Sequence, residues 1–310
     1  MSMKPVLMRA SLLVLATLFS LGCSAQSFRA YLASYGNDAN PCTVTAPCRL
    51  LPAALNAVAD GGEVWMLDSA NYNGGTVNIT KSVSILAVPG QVASLVAFAG
   101  GPAINIATVG VNVALRNIVI PDNVTNPGTY GVVMTNGTLL SVEDCLFANL
   151  TRAAIYVHDI SAIVTVKNTV FRHLAEYAVH AENGPEVTIA GSQILYTQGV
   201  LSAGSVASTT SVTVSDSTIA NSTEGVYAYT SIAGAIARAT LARSTVTNTA
   251  YALDAETASV GAAIVYAANN TIVGGRGWYI GPGGSVITYG DNHFADTSGA
   301  FGTMTPTPTQ

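Results

Sequence analysis

A short apolar motif recurs along this chain about once every 25 residues. Each copy consists of an Asn, Asp or Ser anchor, then any residue, then an aliphatic or aromatic residue. The anchors of the copies are Asn117, Asp144, Asn168, Ser192, Ser217, Ser244, Asn270 and Asn292. A fixed period of this length predicts a solenoid, in which each repeat covers the apolar face of the next one.

Short stretches between the anchors alternate apolar and polar residues in the period-2 manner of β-strands, as in 63–67, 76–80 and 82–86. In the early copies the apolar residues stand two and four positions before the anchor. In the copies that begin with Ser they stand one position further away. We interpret this change as one extra residue in the turn, because a slip within the strand would turn every side chain to the other face.

A second column of small residues has the same period. A Gly or Ala precedes a short apolar strand at Gly131, Ala154, Ala178, Gly199, Gly225, Ala252 and Gly277. Two columns with one period predict roughly nine rungs, each rung being one turn of the solenoid. At about 4.8 Å per rung they form a rod about 40 Å long.

A short helix is predicted before the strands begin. Apolar residues between Leu51 and Val58 fall at helical spacing, with Pro52 near the start and Gly61 and Gly62 at the stop. At one end of a solenoid this helix would act as a cap, since an open end exposes strand edges and apolar core.

Composition supports strands over helices, since 49% of the residues are apolar and only 9% are charged. The first 25 residues read as an export signal, with Lys4 and Arg9 before the apolar stretch 10–22 and small residues at 23–25. A lipoprotein signal using Cys23 is the alternative, although Ser20 stands where a Leu is expected. We therefore expect an exported protein, periplasmic or extracellular.

The charge and the apolar runs limit the partners. Removing the signal takes away two positive charges, so the net charge changes from −5 to −7. No basic stripe is available to neutralise phosphates, which argues against a nucleic-acid partner. After residue 25 no apolar run is long enough for a transmembrane helix.

The cysteines indicate a disulfide rather than a metal site. Cys42 and Cys48 delimit a tight loop that an oxidising compartment would close. Two cysteines do not make a zinc site, and we expect no metal and no cofactor. Cys145, inside the repeats, reads as a small buried hydrophobe rather than a catalytic thiol.

The N-terminal motifs carry a family resemblance. Gly-Asn-Asp-Ala-Asn-Pro-Cys at 36–42 is followed by Ala-Pro-Cys-Arg at 46–49, Gly-Gly-Glu at 61–63 and Ile-Thr-Lys-Ser-Val-Ser-Ile at 79–85. With the repeats, they make residues 30–295 resemble exported bacterial right-handed parallel β-helix repeat proteins of the pectin-lyase-like superfamily.

The resemblance implies an all-β fold, a single-stranded right-handed parallel β-helix with a short N-terminal capping helix. The expected organisation is an export signal at 1–25, a lead-in with disulfide loop and helix at 26–62, the β-helix at 63–299 and a disordered tail at 300–310.

The superfamily includes polysaccharide lyases, polygalacturonases, pectin esterases and uronate epimerases, so the resemblance implies a possible polysaccharide partner. The sequence lacks the Gly-His-Gly, Asn-Thr-Asp and Arg-Ile-Lys motifs of polygalacturonases and the Asp-Pro-His-Asp motif of the epimerases. Whether the protein is an enzyme therefore stays open, because function depends on the site and not on the fold.

In the resembled enzymes, substrate lies along the strand that follows the third turn, which matches the Gly/Ala column of this chain. Side chains alternate across a strand, so the second and fourth residues after each Gly or Ala are expected to face outward. One outward column is Val133, Tyr156, His180, Leu201, Tyr227, Asp254 and Tyr279, and its neighbour is Thr135, His158, Glu182, Ala203, Tyr229, Glu256 and Gly281. We call the two columns the polar strip.

The polar strip concentrates aromatic rings, imidazoles and carboxylates, which suit sugar rings and hydroxyls. The predicted ligand-binding residues are Tyr156, His158, His180, Glu182, Tyr227, Tyr229, Asp254, Glu256 and Tyr279. The preferred function is contact with polysaccharide along this strip.

Two alternatives stay open. One is a structural or adhesive envelope protein without catalysis, because exposed strands of any solenoid carry polar and aromatic residues. The other is a polysaccharide lyase or hydrolase, with catalytic candidates His180, His158, Glu182 and Arg172.

Overall fold

The computed structural model describes residues 26–159, 161–258 and 260–307. The expected export signal, with Cys23, lies outside the described residues. Within them the chain forms three parallel sheets and one short helix. The strands are numbered β1 to β30 in chain order, and from β4 to β29 the chain passes through the three sheets in succession.

Sheet A comprises β1 (Ser27–Leu32), β2 (Val58–Met66), β4 (Val83–Ala87), β7 (Asn112–Arg116), β10 (Leu139–Glu143), β13 (Ile163–Lys167), β16 (Glu186–Ala190), β19 (Thr209–Ser215), β22 (Ile236–Ala242), β25 (Ala262–Ala268), β28 (Gly284–Thr288) and β30 (Thr305–Pro306). Sheet B comprises β5 (Ala93–Ser94), β8 (Ile118–Pro121), β11 (Leu146–Ala148), β14 (Val170–Arg172), β17 (Gln193–Leu195), β20 (Thr218–Ala220), β23 (Thr245–Thr247), β26 (Thr271–Val273) and β29 (His293–Ala295). Sheet C comprises β3 (Val77–Ile79), β6 (Ile104–Ile106), β9 (Val132–Met134), β12 (Ile155–His158), β15 (Val179–Glu182), β18 (Val200–Gly204), β21 (Glu224–Thr230), β24 (Tyr251–Thr257) and β27 (Trp278–Ile280).

The predicted solenoid of about nine rungs is confirmed, since sheets B and C each contain nine strands. Strands pair in parallel with the equivalent strand of the next rung, as β10 does with β13 and β12 with β15. Stacking of identical positions places like residues on like residues, so the alternating sequence pattern becomes continuous inner and outer columns.

The core is a mainly apolar column enclosed by the three sheets. Phe147 and Phe171 occupy equivalent inner positions of sheet B, are fully buried and stack with ring centroids 5.3 Å apart. Cys145 is buried as expected, and burial raises the pKa of its thiol to about 11. The thiol is therefore a packing group and not a nucleophile.

The corner between sheets A and B corrects one sequence interpretation. Two residues separate Glu143 of β10 from Leu146 of β11, and two separate Ala190 of β16 from Gln193 of β17. Since their strands pair without a shift, no extra residue enters the later turns. The repeated anchors instead occupy two adjacent positions of one corner of constant length.

The first corner position takes a left-handed backbone conformation in successive rungs. It is held by Asn117, Asp144, Asn168, Gly191, Asp216, Arg243 and Asn269, with φ between 46° and 61°. Asn, Asp and Gly tolerate this conformation best, which explains why the early anchors are Asn or Asp.

The second corner position carries a buried ladder of polar side chains. Side-chain oxygens of Ser192, Ser217 and Ser244 accept the backbone N–H of the equivalent residue one rung earlier at 3.1–3.2 Å. Asn270 and Asn292 continue the ladder at 2.9 and 3.0 Å. The later anchors are thus polar because the corner leaves a buried N–H that needs an acceptor.

The predicted N-terminal helix is confirmed, but it ends earlier than expected. Helix α1 (Leu51–Ala57) buries Leu51, Ala54 and Leu55, but strand β2 starts directly at Val58. The predicted stop at Gly61 and Gly62 is therefore wrong, and both glycines lie within β2. Gly62 is needed because a Cβ there would overlap the carbonyl of Phe28 on β1. The predicted Cys42–Cys48 disulfide is present beside the helix.

Both ends of the expected β-helix boundaries need correction. Strand β1 pairs with β2, so the solenoid begins before residue 63. The tail at 300–310 was expected to be disordered, yet β30 pairs with β28 and Phe301 stacks on Tyr279 at 5.1 Å. The apolar Phe301 covers the last rung, which is a physical reason for order; residues 308–310 lie outside the described part.

No helix in the described residues is both long enough and apolar enough to cross a membrane.

Candidate functional site

The polar strip lies on the outer face of sheet C, with its residues in register. Tyr156 pairs with His180, and Tyr227 pairs with Asp254, which in turn pairs with Tyr279. In the neighbouring column His158, Glu182, Ala203, Tyr229 and Glu256 follow one another. Five rung steps from β12 to β27 give the strip a length of about 24 Å.

The small residues of the Gly/Ala column make a sharp corner between sheets B and C. A Cβ at Gly199 would overlap the carbonyl oxygen of Glu224, and one at Gly225 would overlap that of Ala252. Such close backbone approach leaves room only for Gly, or for an Ala whose methyl group fits.

A third column borders the strip and was missed by the sequence analysis. It consists of the residues just before the Gly/Ala column, which are Tyr130, Ala153, Tyr177, Gln198, Glu224, Tyr251 and Arg276. Strict alternation assigns them no place on the outer face, but a corner interrupts alternation. The sequence could have indicated these residues, because each stands directly before a member of the Gly/Ala column.

The first part of the strip is a cluster centred on the Glu182 carboxylate. His158 Nδ1 lies 2.7 Å from Oε1, His180 Nε2 lies 3.0 Å from Oε2, and the Tyr156 hydroxyl donates to Oε1 at 3.0 Å. The hydrogen bond from His180 is the largest cause that lowers the pKa of Glu182 to about 2, against the opposing effect of burial. Glu182 is therefore an ionised acceptor that fixes three side chains.

Aromatic stacking extends this cluster toward the corner column. Tyr130 stacks on Tyr156 with ring centroids 5.2 Å apart, and Arg152 lies over the Tyr130 ring at 5.1 Å. The Arg152 Nε also binds Glu176 at 2.9 Å, so its charge is already paired. Burial raises the pKa of Tyr156, which keeps its hydroxyl a hydrogen-bond donor.

One predicted catalytic candidate does not join the cluster. Arg172 is the last residue of β14 and is exposed on sheet B, whereas His158, His180 and Glu182 are on sheet C. Of the four catalytic candidates, three lie together on sheet C and Arg172 lies apart from them on sheet B. Sequence proximity misled because the corner at 173–178 separates the two sheets.

In the middle of the strip the outward side chains are apolar and little exposed. Leu201 and Ala203 occupy the outward positions of β18, and both are buried. This rung therefore separates the Glu182 cluster on β12 and β15 from the polar residues of β21 and β24.

The far part of the strip is an acid cluster formed by Glu224, Asp254 and Glu256. The Tyr227 hydroxyl donates to Glu256 Oε1 at 2.7 Å. Asp254 is only 5% exposed, and its Oδ1 has no hydrogen-bond partner among the described residues. The Oε2 of Glu224 is likewise buried and unpartnered in the described structure.

Burial and mutual repulsion make two of these acids weak. Burial, followed by the charge of Glu256, raises the pKa of Asp254 to about 8. Burial also raises the pKa of Glu224 to about 7, with the Glu256 charge adding to it. At neutral pH the cluster therefore combines protonated carboxyl groups, which donate, with acceptors.

The His, Cys, Asp and Glu side chains of the described residues form no group of three or more suited to a metal ion. The site geometry therefore consists of hydrogen-bonding and stacking groups on an elongated face.

Comparison with known proteins defines the family. The model described as "Right handed beta helix region" matches residues 72–210 and, overlapping them, residues 102–276. The chain belongs to the right-handed β-helix family. The expected handedness and the pectin-lyase-like fold are thereby confirmed.

No curated protein matches this β-helix chain. Among solved structures it is similar to pectate lyase Pel9A, with a TM-score of 0.64, 13% identity and coverage of 91% of this chain and 78% of that chain. It is also similar to XylC in a complex with xylose, with a TM-score of 0.57, 8% identity and coverage of 86% and 69%.

A pectin methylesterase from Aspergillus niger is a third similar structure, with a TM-score of 0.52, 14% identity and coverage of 80% and 86%. At these identities the likeness establishes the β-helix fold and not an activity.

Proposed function

We propose that the polar strip binds polysaccharide. The observation that carries this proposal is the continuous outer column of sheet C, where Tyr156, His180, Tyr227, Asp254 and Tyr279 stand in register around the low rung at Leu201. The names of the similar pectate lyase, pectin methylesterase and xylose complex support a glycan as the ligand.

The chemistry of the strip suits an extended sugar chain. Tyrosine faces stack on the apolar faces of sugar rings, while carboxyl and imidazole groups bond to hydroxyls. A length of about 24 Å suits an oligosaccharide segment rather than a single sugar. The rigid stacking of rungs holds these groups in place before the ligand arrives, which lowers the entropic cost of binding.

Binding is a better account than uronate elimination. Proton abstraction beside a uronate carboxylate needs a cation to neutralise it. Arg172 lies on another sheet, and Arg152 is paired with Glu176. Glu182 is occupied by His158, His180 and Tyr156, which makes it an orienting group and not a free base.

Export belongs to the same proposal. The Cys42–Cys48 disulfide supports an oxidising compartment, where extracellular or envelope polysaccharide is accessible.

The test is titration calorimetry of the purified protein against neutral and acidic plant and bacterial oligosaccharides. Tyr156→Ala and Tyr227→Ala are each expected to weaken the binding of a bound glycan by at least tenfold, about 1.4 kcal/mol. Tyr266→Ala is the matched control, because Tyr266 is a half-buried outward tyrosine on sheet A. Affinity unchanged by the two strip variants would contradict the proposal, and no binding at all would favour a structural envelope role.

A further inference from the structure

The acid cluster lies in a slot walled by tyrosines. In the outer column Asp254 sits between Tyr227 and Tyr279, whose backbones are two rungs apart, about 9.6 Å. Tyr251 packs on Tyr279 with ring centroids 5.2 Å apart and closes the side of the slot at the corner column. Asp254 therefore forms a recessed polar floor between aromatic walls.

This floor has unused hydrogen-bonding capacity. Asp254 is more than nine-tenths buried and its Oδ1 has no partner in the described structure, although buried polar groups are normally satisfied. The Oε2 atom of the half-buried Glu224 is also buried and has no partner in the described structure. Of the Glu256 oxygens, Oε1 is engaged by Tyr227. An unsatisfied group that faces a binding surface is naturally explained by a ligand that completes it.

No cation is paired with the acids of the slot in the described structure. None of the ion pairs among the described residues includes Glu224, Asp254 or Glu256. Arg276 is the cation on the bordering column, and its Nη1 donates to the Tyr251 hydroxyl at 2.7 Å. Its guanidinium also lies over the Tyr251 ring at 5.2 Å.

Resting on the proposed glycan binding, we propose that the acid cluster is a selective subsite that accepts an uncharged sugar residue and rejects a uronate. A sugar hydroxyl can donate a hydrogen bond to Glu256 and accept one from a neutral carboxyl group, which provides partners for the polar atoms of the slot. A uronate carboxylate can only accept. It would meet the Glu256 charge in a poorly solvated place where the bordering cation, Arg276, is bound to Tyr251 and pairs with none of the three acids, so repulsion is weakly screened.

The protonation of the slot sharpens this selectivity as the pH rises. The titratable and charged groups facing Asp254 are Glu224, Tyr227, Tyr229, Tyr251, Glu256, Arg276, Tyr279 and Tyr177. The raised pKa values of Glu224 and Asp254, about 7 and about 8, mean that both gain charge between pH 6 and pH 9. Rejection of a uronate should therefore grow over this interval.

The experiment compares pairs of oligosaccharides that differ in charge alone. Several uronate oligosaccharides are each reduced at the carboxyl group to the neutral sugar of identical linkage, and both members are titrated into the unmodified protein at pH 6 and pH 9. The neutral member is expected to bind at least tenfold more tightly at pH 9, with a smaller ratio at pH 6.

Two variants locate the effect. Glu256→Gln and Asp254→Asn keep the side-chain shape and should each reduce the preference at pH 9 severalfold. Glu186→Gln, which removes an exposed acid on sheet A, should leave it unchanged. Circular dichroism verifies folding of each protein.

The outcomes separate the two proposals. Equal binding of both members, or tighter binding of the uronate, overturns the selectivity while leaving glycan binding intact. A preference that survives both slot variants also overturns it, since the charge would then act elsewhere. Failure of every pair and of the wider glycan set overturns the binding proposal itself.

Discussion

The carboxylate of Glu182 shows how a single residue organises one part of the strip. It accepts a hydrogen bond from His180 on its own strand, β15, and from His158 at the paired position of β12. The third donor is Tyr156, also on β12 but in the other column of the strip. Its low pKa, about 2, reflects these bonds, with that from His180 first. Because its pKa is lower in the folded protein, the ionised Glu182 contributes to the free energy of unfolding in a pH-dependent way.

Replacement of Glu182 by Gln is expected to lower the free energy of unfolding by about 1–3 kcal/mol at pH 7, because donors lose a charged acceptor. The folded pKa of about 2 is below the ordinary 4.5. The contribution is therefore present above about pH 4.5 and is lost as the pH falls toward 2. Urea unfolding from pH 7 to pH 2.5 should show the gap between variant and parent closing.

Glu186→Gln serves as control for this series, since Glu186 is exposed on the outer face of sheet A. A gap for Glu182→Gln that stays constant down to pH 2.5 would contradict the assigned role.

At the scale of elements, the corner between sheets A and B determines the rung. A residue with left-handed backbone conformation turns the chain from sheet A to sheet B, and the side chain of the next residue accepts the backbone N–H of the equivalent residue one rung earlier. Ser217 is central to this ladder, because its Oγ accepts from Ser192 N at 3.1 Å and donates to Ser215 O at 2.6 Å.

Ser217→Ala should lower the free energy of unfolding by about 1–3 kcal/mol, the cost of leaving a buried N–H without an acceptor. Ser211→Ala is the matched control, because it removes the same hydroxyl from the outer face of β19 in the adjacent segment. Chemical denaturation measures both. Equal effects of the two changes would show that the ladder contributes nothing special.

The elements also show what the sequence could reveal. Strands, the period and the strip were predictable because stacked rungs repeat one burial pattern, so Tyr227 and Asp254 could be paired by counting. The corners were not predictable in detail. Asn168 and Ser192 look like one anchor although they occupy different positions, and Glu224 escaped because alternation fails where the chain turns.

At the scale of the whole molecule, each rung contacts mainly the rungs beside it, so stability should be distributed locally. The N-terminal end is held by the disulfide and by β1, where the Tyr31 N–H donates to the Cys42 carbonyl at 2.8 Å and the Tyr31 carbonyl accepts from the Cys48 N–H at 2.9 Å.

Replacing Cys42 and Cys48 together by Ser should destabilise this end by about 2–3 kcal/mol, the entropy of a short closed loop. The change should remain local. Hydrogen exchange measured by mass spectrometry should accelerate in β1 and α1, while β19 and β22 keep their protection. Uniform acceleration along the chain would instead indicate a single cooperative unit.

The constant two-residue corner between sheets A and B has a consequence for how such a chain can change length. Asp144 and Asn168 are equivalent points of consecutive corners, so removing residues 145–168 would excise one whole turn and keep every remaining strand in phase. The excised turn carries Tyr156 and His158, and β9 would then lie beside β15. Duplication or loss of such a turn would lengthen or shorten the outer face of sheet C by one rung at a time, while the inward-facing residues of the remaining rungs keep their positions.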